Sequence, residues 1–211
     1  MPLMHESLLA WSLNGLPQPP LLCSPGQGKA LLIGHLLTEG LICSLSDVAD
    51  IHAESGPDPC WAITAAASKT HAVSSHRKTA PFPCSPSRLD DLLSLLRLAP
   101  RQAGEHVAVI GNDCQYVTAR DISRHYALDA AVGKALEAEM DLTGCIFCTS
   151  GRIGLEVVRK AARVSIPVLC TEKAVGSLAA DFSASEGIAI YCPGMTPAWY
   201  GDPQRFPAHS I

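Results

Sequence analysis

The stretch RDISRHYALDAAVG, residues 120–133, places two cations and an acid within about one and a half helical turns: Arg124, His125 and Asp129. If Ser123 caps this helix, Arg124 and His125 occupy its first turn, where the positive end of the helix dipole disfavours cations by about 0.3–1 kcal/mol each. Two arrangements account for residues that accept such a cost. In one, a surface Arg stands beside a half-buried His held by Asp129 four residues on. In the other, an anion is drawn to the helix end and to both cations together. CTSGRIGLE, residues 148–156, offers related chemistry, with Thr149, Ser150 and Gly151 ahead of Arg152 and directly after an apolar run. A glycine there lets backbone N–H groups face an anion, hydroxyls add donors, and Arg152 can neutralise a phosphate. The simpler alternative is a cap: Ser150 opens a helix, Gly151 eases the turn and Arg152 sits in water. CTEKAVGSLA, residues 170–179, has the same grammar, with Ser177 as N-cap and Lys173 as the cation.

The nine cysteines are the other reactive groups. Their odd number, irregular spacing and the lack of a signal peptide point to reduced thiols rather than a disulfide framework. Cys145 and Cys148 form a C-x-x-C, but inside an apolar strand positions three apart face opposite ways, so both read as core thiols and not as a zinc knuckle. Cys114, in a turn, and Cys84, between prolines, are expected to be exposed, and neither has a helix terminus or base beside it to activate it. The His-x-Glu and Pro-Cys-x-x-Cys signature of zinc deaminases is absent, and no metal site is expected.

These groups must be positioned by a fold of 211 residues, long enough for a sizeable core. Hydrophobic residues make up 47% and charged residues 17%, a globular composition. The formal net charge of −4 gives no sign of a polyanion-binding surface, though a local cationic pocket remains compatible with it. The N-terminus has no basic region before its apolar residues and no run of about 18 apolar residues occurs, so the chain reads as soluble and cytoplasmic. Asn14-Gly15 marks a hairpin. Ala30, Leu31, Ile33, Gly34, Leu37 and Leu41 then fall at helical spacing, with Gly40 placed for a left-handed cap. From Ser44 to His76 the pattern is weak, with CWAITAAA and THAVSSH as possible strands, and RKTAPFPCSPSR is a proline-punctuated linker. That places a boundary between a β-rich portion with one helix, residues 1–80, and an α/β domain, residues 81–211, unless the two form one continuous unit. In the second part Leu89, Leu92, Leu93 and Leu96 stripe a helix, EHVAVIG and QYVTA pair around Asn112-Asp113, and RHYALDAAVGKALEAEM is a helix. The strands GCIFCTS, IPVLCT and GIAIYC then alternate with the helices GLEVVRKAARVS and GSLAADFSAS. Such alternation implies parallel crossovers and a mixed sheet with helices on both faces. Ligands in such sheets bind where strands end and loops enter helices, which singles out CTSGR, CTEKAVGS and YCPGMT.

Several of these stretches together resemble the FdhD family of formate dehydrogenase accessory sulfurtransferases. SPGQGKALLIGHLLTEGLI is similar to that family's first helix, with its Ser-Pro opening and EGII-like ending. ARDISRHYALDAAVG resembles the family's EDVGRHxALDKxxG, matching Asp121, Arg124, His125, Ala127, Leu128, Asp129 and Gly133. SGRIGLEVVRKAARVSIPVL, SLAADFSASEGIAIYC and YGDPQRF resemble later segments in the same order. The resemblance implies a cytidine-deaminase-like three-layer α/β sandwich without the zinc, usually as a homodimer. It implies binding of the guanine dinucleotide form of the molybdenum cofactor, or a guanine nucleotide. It also implies sulfur taken from a cysteine desulfurase, carried as a persulfide and delivered for formate dehydrogenase. Cofactor-binding residues by this carry-over are Arg124, His125, Ser150, Gly151, Arg152 and the segment Tyr191, Cys192, Pro193, Gly194, Met195 and Thr196. The chain departs from the family in three places. The C-G-x-C-G persulfide loop is missing, which leaves Cys60 or Cys84 as alternative carriers; a protein with a vestigial pocket, acting only as an interaction partner, is the remaining reading. The usual TGgxHaA is reduced to AGEHVAV, keeping Gly104 and His106, and YCPGMT has no Arg where the family has a basic residue after the last strand.

Overall fold

Asn14 and Gly15 adopt φ of 52° and 76°, the left-handed pair that a tight hairpin requires, and fold β1 (Ser7–Leu13) back on β2 (Leu16–Cys23). The computed structural model describes residues 3–54, 60–66, 86–194 and 196–202. The strand expected at THAVSSH, the linker up to residue 85, Cys84 and Met195 lie outside them. Helix α1 (Gly28–Thr38) follows the hairpin and stops at Gly40, whose φ of 73° lets its N–H reach the Leu37 carbonyl at 3.0 Å. That left-handed step breaks the helical register, so Leu41 is exposed and Ile42 is buried, the reverse of what the spacing suggested. Strands β3 (Val48–Glu54) and β4 (Cys60–Ala65) complete a four-stranded sheet of order β2-β1-β4-β3, in which β1 and β4 run parallel.

The second sheet has the order β10-β9-β8-β7-β5-β6. β5 (His106–Gly111) and β6 (Tyr116–Asp121) form the expected hairpin; β7 (Ile146–Thr149), β8 (Val168–Thr171) and β9 (Ala189–Cys192) run parallel. The crossovers are α4 (Leu155–Arg163) and α5 (Ser177–Ser185), as the alternation required. β10 (Ala198–Gly201), which the sequence did not announce, adds antiparallel to β9. Helix α2 (Pro86–Leu98) packs its leucine stripe on one face, against Val107, Val109, Ile146 and Cys148. The other face, with Ala108, Ile110, Phe147 and Leu169, is covered by α3 (Arg124–Glu137), α4 and α5. Cys145, extended just before β7, and Cys148 within it belong to opposite clusters, both fully buried, as an offset of three along an extended chain demands. Among the described residues no helix is long and apolar enough to cross a membrane.

α1 sits directly on α3. A Cβ on Gly34 would stand 1.7 Å from the Asp129 carbonyl oxygen, and one on Gly133 would stand 1.9 Å from that of Ala30. Backbone meets backbone there, and only glycine on each side permits it. A polar knot locks the contact. Asp129, with no exposed surface, accepts from Thr38 Oγ1 at 2.7 Å and lies 3.0 Å from His35 Nδ1. Lys160 of α4 places Nζ 2.9 and 2.8 Å from its two oxygens and reaches Glu39 as well. A buried charge is tolerable when paired and hydrogen-bonded this completely. The expectation that Asp129 would hold His125 is therefore overturned: all its acceptor capacity is taken by residues of α1 and α4.

Candidate functional site

β7, β8 and β9 end level with one another, since Thr149 is in register with Thr171 and Cys170 with Tyr191. The three loops that leave them are stitched side by side. Thr149 Oγ1 accepts from the Gly151 N–H at 3.1 Å, and Thr171 Oγ1 donates to the Gly151 carbonyl at 2.7 Å. Ile153 then bridges Val175, with Ile153 N–H bonded to the Ala174 carbonyl and Gly176 N–H to that of Ile153. Cys192 Sγ donates to the Lys173 carbonyl at 3.2 Å. These bonds come from strand-end threonines and small residues, which turn the chain without carrying bulk into the edge.

The caps differ from expectation. α4 begins after Gly154 and α5 after Gly176, neither with a side-chain cap bond. Ser150 stands five residues before the first residue of α4 and is tied instead to β5, donating its N–H to the Val107 carbonyl at 3.0 Å and accepting from the Val107 N–H at 2.8 Å through Oγ. Ser177 is the first residue of α5 rather than its cap. The loops thus have conformations of their own, held by sheet-edge bonds.

Helix α3 enters this edge. Ser123 is its N-cap, accepting weakly from the Tyr126 N–H at 3.5 Å, as expected. Asp121 braces the entry: buried, it accepts from Ser123 N–H at 2.8 Å and from Ser24 N–H at 2.9 Å. Burial pushes its carboxyl up to about 6 against the lowering effect of those two bonds. Arg124 then packs against Gly151, where an added Cβ would lie 3.0 Å from Arg124 Cβ and 3.3 Å from His106 Nδ1. Among the described residues Arg124 Nε is the buried side-chain nitrogen or oxygen that finds no hydrogen-bond partner. Its neighbours are two half-buried imidazoles. Burial lowers the pKa of His106, helped by Arg124 and Arg101; it does the same for His125, helped by Arg124 and Lys160. Both are therefore neutral near pH 7 and leave the guanidinium as the charge of the site.

The structure brings Arg124, Ser150 and Gly151 together and adds His106, which site reasoning omitted although AGEHVAV retained it; His125 stands beside Arg124 in the same first turn. Arg152 and Lys173 are exposed on the same loops. Tyr191 is half-buried and stacks on Trp199 with ring centroids 4.7 Å apart; Pro193 is half-buried, and Gly194 and Thr196 are exposed on the third loop. Cys60 lies elsewhere, in the four-stranded sheet, its Sγ 3.8 Å from the adjacent Trp61 carbonyl. Among the described residues no group of three or more His, Cys, Asp or Glu is arranged to hold a metal ion. An unpaired buried donor costs free energy that an arriving acceptor relieves. A guanidinium N–H without a partner, between loops rich in glycine and hydroxyls, fits an anionic group such as a phosphate.

Known proteins resemble the chain along most of its length. The model of the FdhD/NarQ family matches residues 87–205. The sulfur carrier protein FdhD of Streptomyces coelicolor is 29% identical over 231 aligned positions, covering 89% of this chain and 82% of that one. That of Burkholderia cenocepacia is 28% identical, covering 88% and 81%. That of Thermoplasma volcanium reaches 39% identity over a shorter stretch, 46% of this chain. In three dimensions a crystal structure from Desulfotalea psychrophila, described as a formate dehydrogenase accessory protein, superposes with a TM-score of 0.76 at 20% identity, over 96% of this chain and 89% of that one.

Proposed function

The chain belongs to the FdhD/NarQ family, and from that premise we propose that it is an accessory protein in molybdenum cofactor maturation for a formate dehydrogenase, holding the cofactor's guanine nucleotide at the loop edge beside Arg124. The observation that supports this most directly is the buried, unpartnered Arg124 Nε. In this reading Arg124 and the helix end receive a phosphate, and His106 and His125 flank it. Gly151 leaves room for close approach, and Tyr191, Cys192, Pro193, Gly194, Met195 and Thr196 border the nucleotide. The six-stranded layer with helices on both faces serves as the deaminase-like frame. The molybdenum cofactor is cargo here, and the protein's part is to bind and orient it for sulfuration. Since no C-G-x-C-G occurs in the sequence, holding the cargo is the function assigned to this chain. A homodimer that meets a cysteine desulfurase and a formate dehydrogenase is the assembly that goes with that reading.

The test is thermal unfolding with GDP, GTP and ADP. A ligand at a hundredfold its Kd stabilises by about 2.7 kcal/mol, which for a chain of this length raises the midpoint by about 5–10 °C. The expected result is a shift for guanine nucleotides that Arg124→Ala abolishes; no shift with any nucleotide overturns the reading. Mass spectrometry after incubation with a cysteine desulfurase and cysteine addresses sulfur. An added sulfur lost in Cys60→Ala or Cys84→Ala would make the chain a carrier as well as a holder.

A further inference from the structure

β6 is the last strand of its sheet, and its outer edge faces a cleft of about 570 Å3, within the range of small-molecule sites. The walls are the start of α1, Ala99 and Pro100 just after α2, and the C-terminal half of α3. Three cations line it, Lys29, Arg120 and Lys134, against one acid, Glu137. That balance is opposite in sign to the chain as a whole, whose formal net charge is −4.

Two of these cations make only long ion pairs, although Arg120 Nη1 also donates to the Pro100 carbonyl at 3.5 Å. Lys29 approaches Glu137 at 3.6 Å and Arg120 Nε approaches Glu105 at 3.7 Å, both beyond hydrogen-bond length. Lys134 forms no ion pair among the described residues; its ammonium donates to the Thr118 carbonyl at 2.9 Å. Gln27, the N-cap of α1, makes no cap bond and donates its amide to the Arg120 carbonyl instead. Side chains thus cover the open carbonyls of the β6 edge, which blocks an added strand while leaving positive charge in the cleft. Val107, Ala119 and Ala30 give it an apolar floor. Burial and the nearby Arg120 lower the Lys134 pKa, against the opposing pull of Glu137.

We infer that this cleft is a second anion site, built by Lys29, Arg120 and Lys134 for a small phosphate-bearing molecule. It is distinct from the Arg124 edge. Lys134 lies ten residues along α3 from Arg124, about 15 Å at the helical rise, and the cleft opens on the free side of β6 rather than at the ends of β7–β9.

Pyrophosphate is the probe, titrated into the full chain at constant ionic strength and followed by amide chemical shifts. The expected result is that the signals of Lys29, Ala30, Thr118, Arg120 and Lys134 move together with one Kd. Lys29→Gln combined with Lys134→Gln should weaken that Kd by at least about tenfold, whereas Arg124→Ala should leave it within about twofold. Glutamine at 134 can still donate to Thr118, and Lys29→Gln alone, at an exposed position, gives the same comparison should the double variant fold poorly. Cleft signals that do not move, or a Kd untouched by the lysine substitutions, overturn the site. Movement confined to Ser150, Gly151 and the start of α3 would overturn it too while supporting the nucleotide reading; movement in the cleft with none at Ser150 and Gly151 would do the reverse.

Discussion

The first turn of α3 and the turn after it are built from the same kinds of residue and end in opposite states. At Asp129 every polar atom is satisfied, by His35, Thr38 and Lys160 brought from two other helices. At Arg124, five residues earlier, a buried donor is left open. A saturated network fixes three helices and has nothing left to offer a ligand. An unsaturated one contributes little to folding and keeps its capacity for what arrives. On one helix the difference separates scaffold from candidate site.

The comparison breaks most readily at its charged centres. Asp129→Ala leaves Lys160 buried without its main counter-charge and should cost about 3–5 kcal/mol, read from urea unfolding. Arg124→Ala removes a group with no Nε bond to lose and should change stability by less than about 1 kcal/mol while sharply reducing guanine nucleotide affinity. If the two variants unfold alike, the contrast is wrong. The glycines sharpen it. Gly34→Ala forces α1 off α3 and should cost about 1–3 kcal/mol or more. Gly151→Ala crowds Arg124 from 3.0 Å, a few tenths of an ångström to accommodate, and should show itself in nucleotide affinity rather than in unfolding.

The smallest effect is in pH. His106 and His125 have folded pKa values below the ordinary one, so the unfolded chain takes up protons first and their contribution to stability falls as pH drops below about 6.5. Asp121 acts in the other direction. Its raised value of about 6 means a contribution fully present below the unfolded carboxyl range and lost as pH rises through 6. A phosphate beside the imidazoles favours their charged forms, against the repulsion of Arg124, Arg101 and Lys160 and with the help of Asp129 and Glu156. Nucleotide affinity measured by calorimetry should therefore rise as pH falls from 7 toward 6. Affinity independent of pH over that span would place the phosphate away from both rings.

The parallel strands and their crossovers were legible because apolar runs and 3.6-residue stripes coincide there, and because Cys145 and Cys148 could be assigned to opposite faces by parity alone. Other elements were not. β3 is exposed along most of its length and shows no alternation, and β10 is only four residues long and directly follows Pro197. The helix starts at Gly154 and Gly176 carry no side-chain cap, so the nearest serines were misleading. Arg124, at a helix start, and Ser150 and Gly151, in one strand-end loop, were conspicuous by residue type, and the structure sets Arg124 against Gly151. Asp129 was misassigned for a different reason. Its partners stand 94 and 31 residues away in sequence, and local helical spacing offered His125 in their place. The cleft at β6 was invisible because its cations come from three unrelated elements.

The seat of α1 on α3 also determines how the chain can be divided. The family match begins at residue 87, yet the groove that Gly133 opens and the acid at its centre are closed by residues 30–38. A fragment cut at the family boundary would keep Arg124 and its loop edge and still present water with a bare helical trough and a half-neutralised carboxylate. The contact that seats α1 thus ties residues on both sides of that boundary into one packing unit.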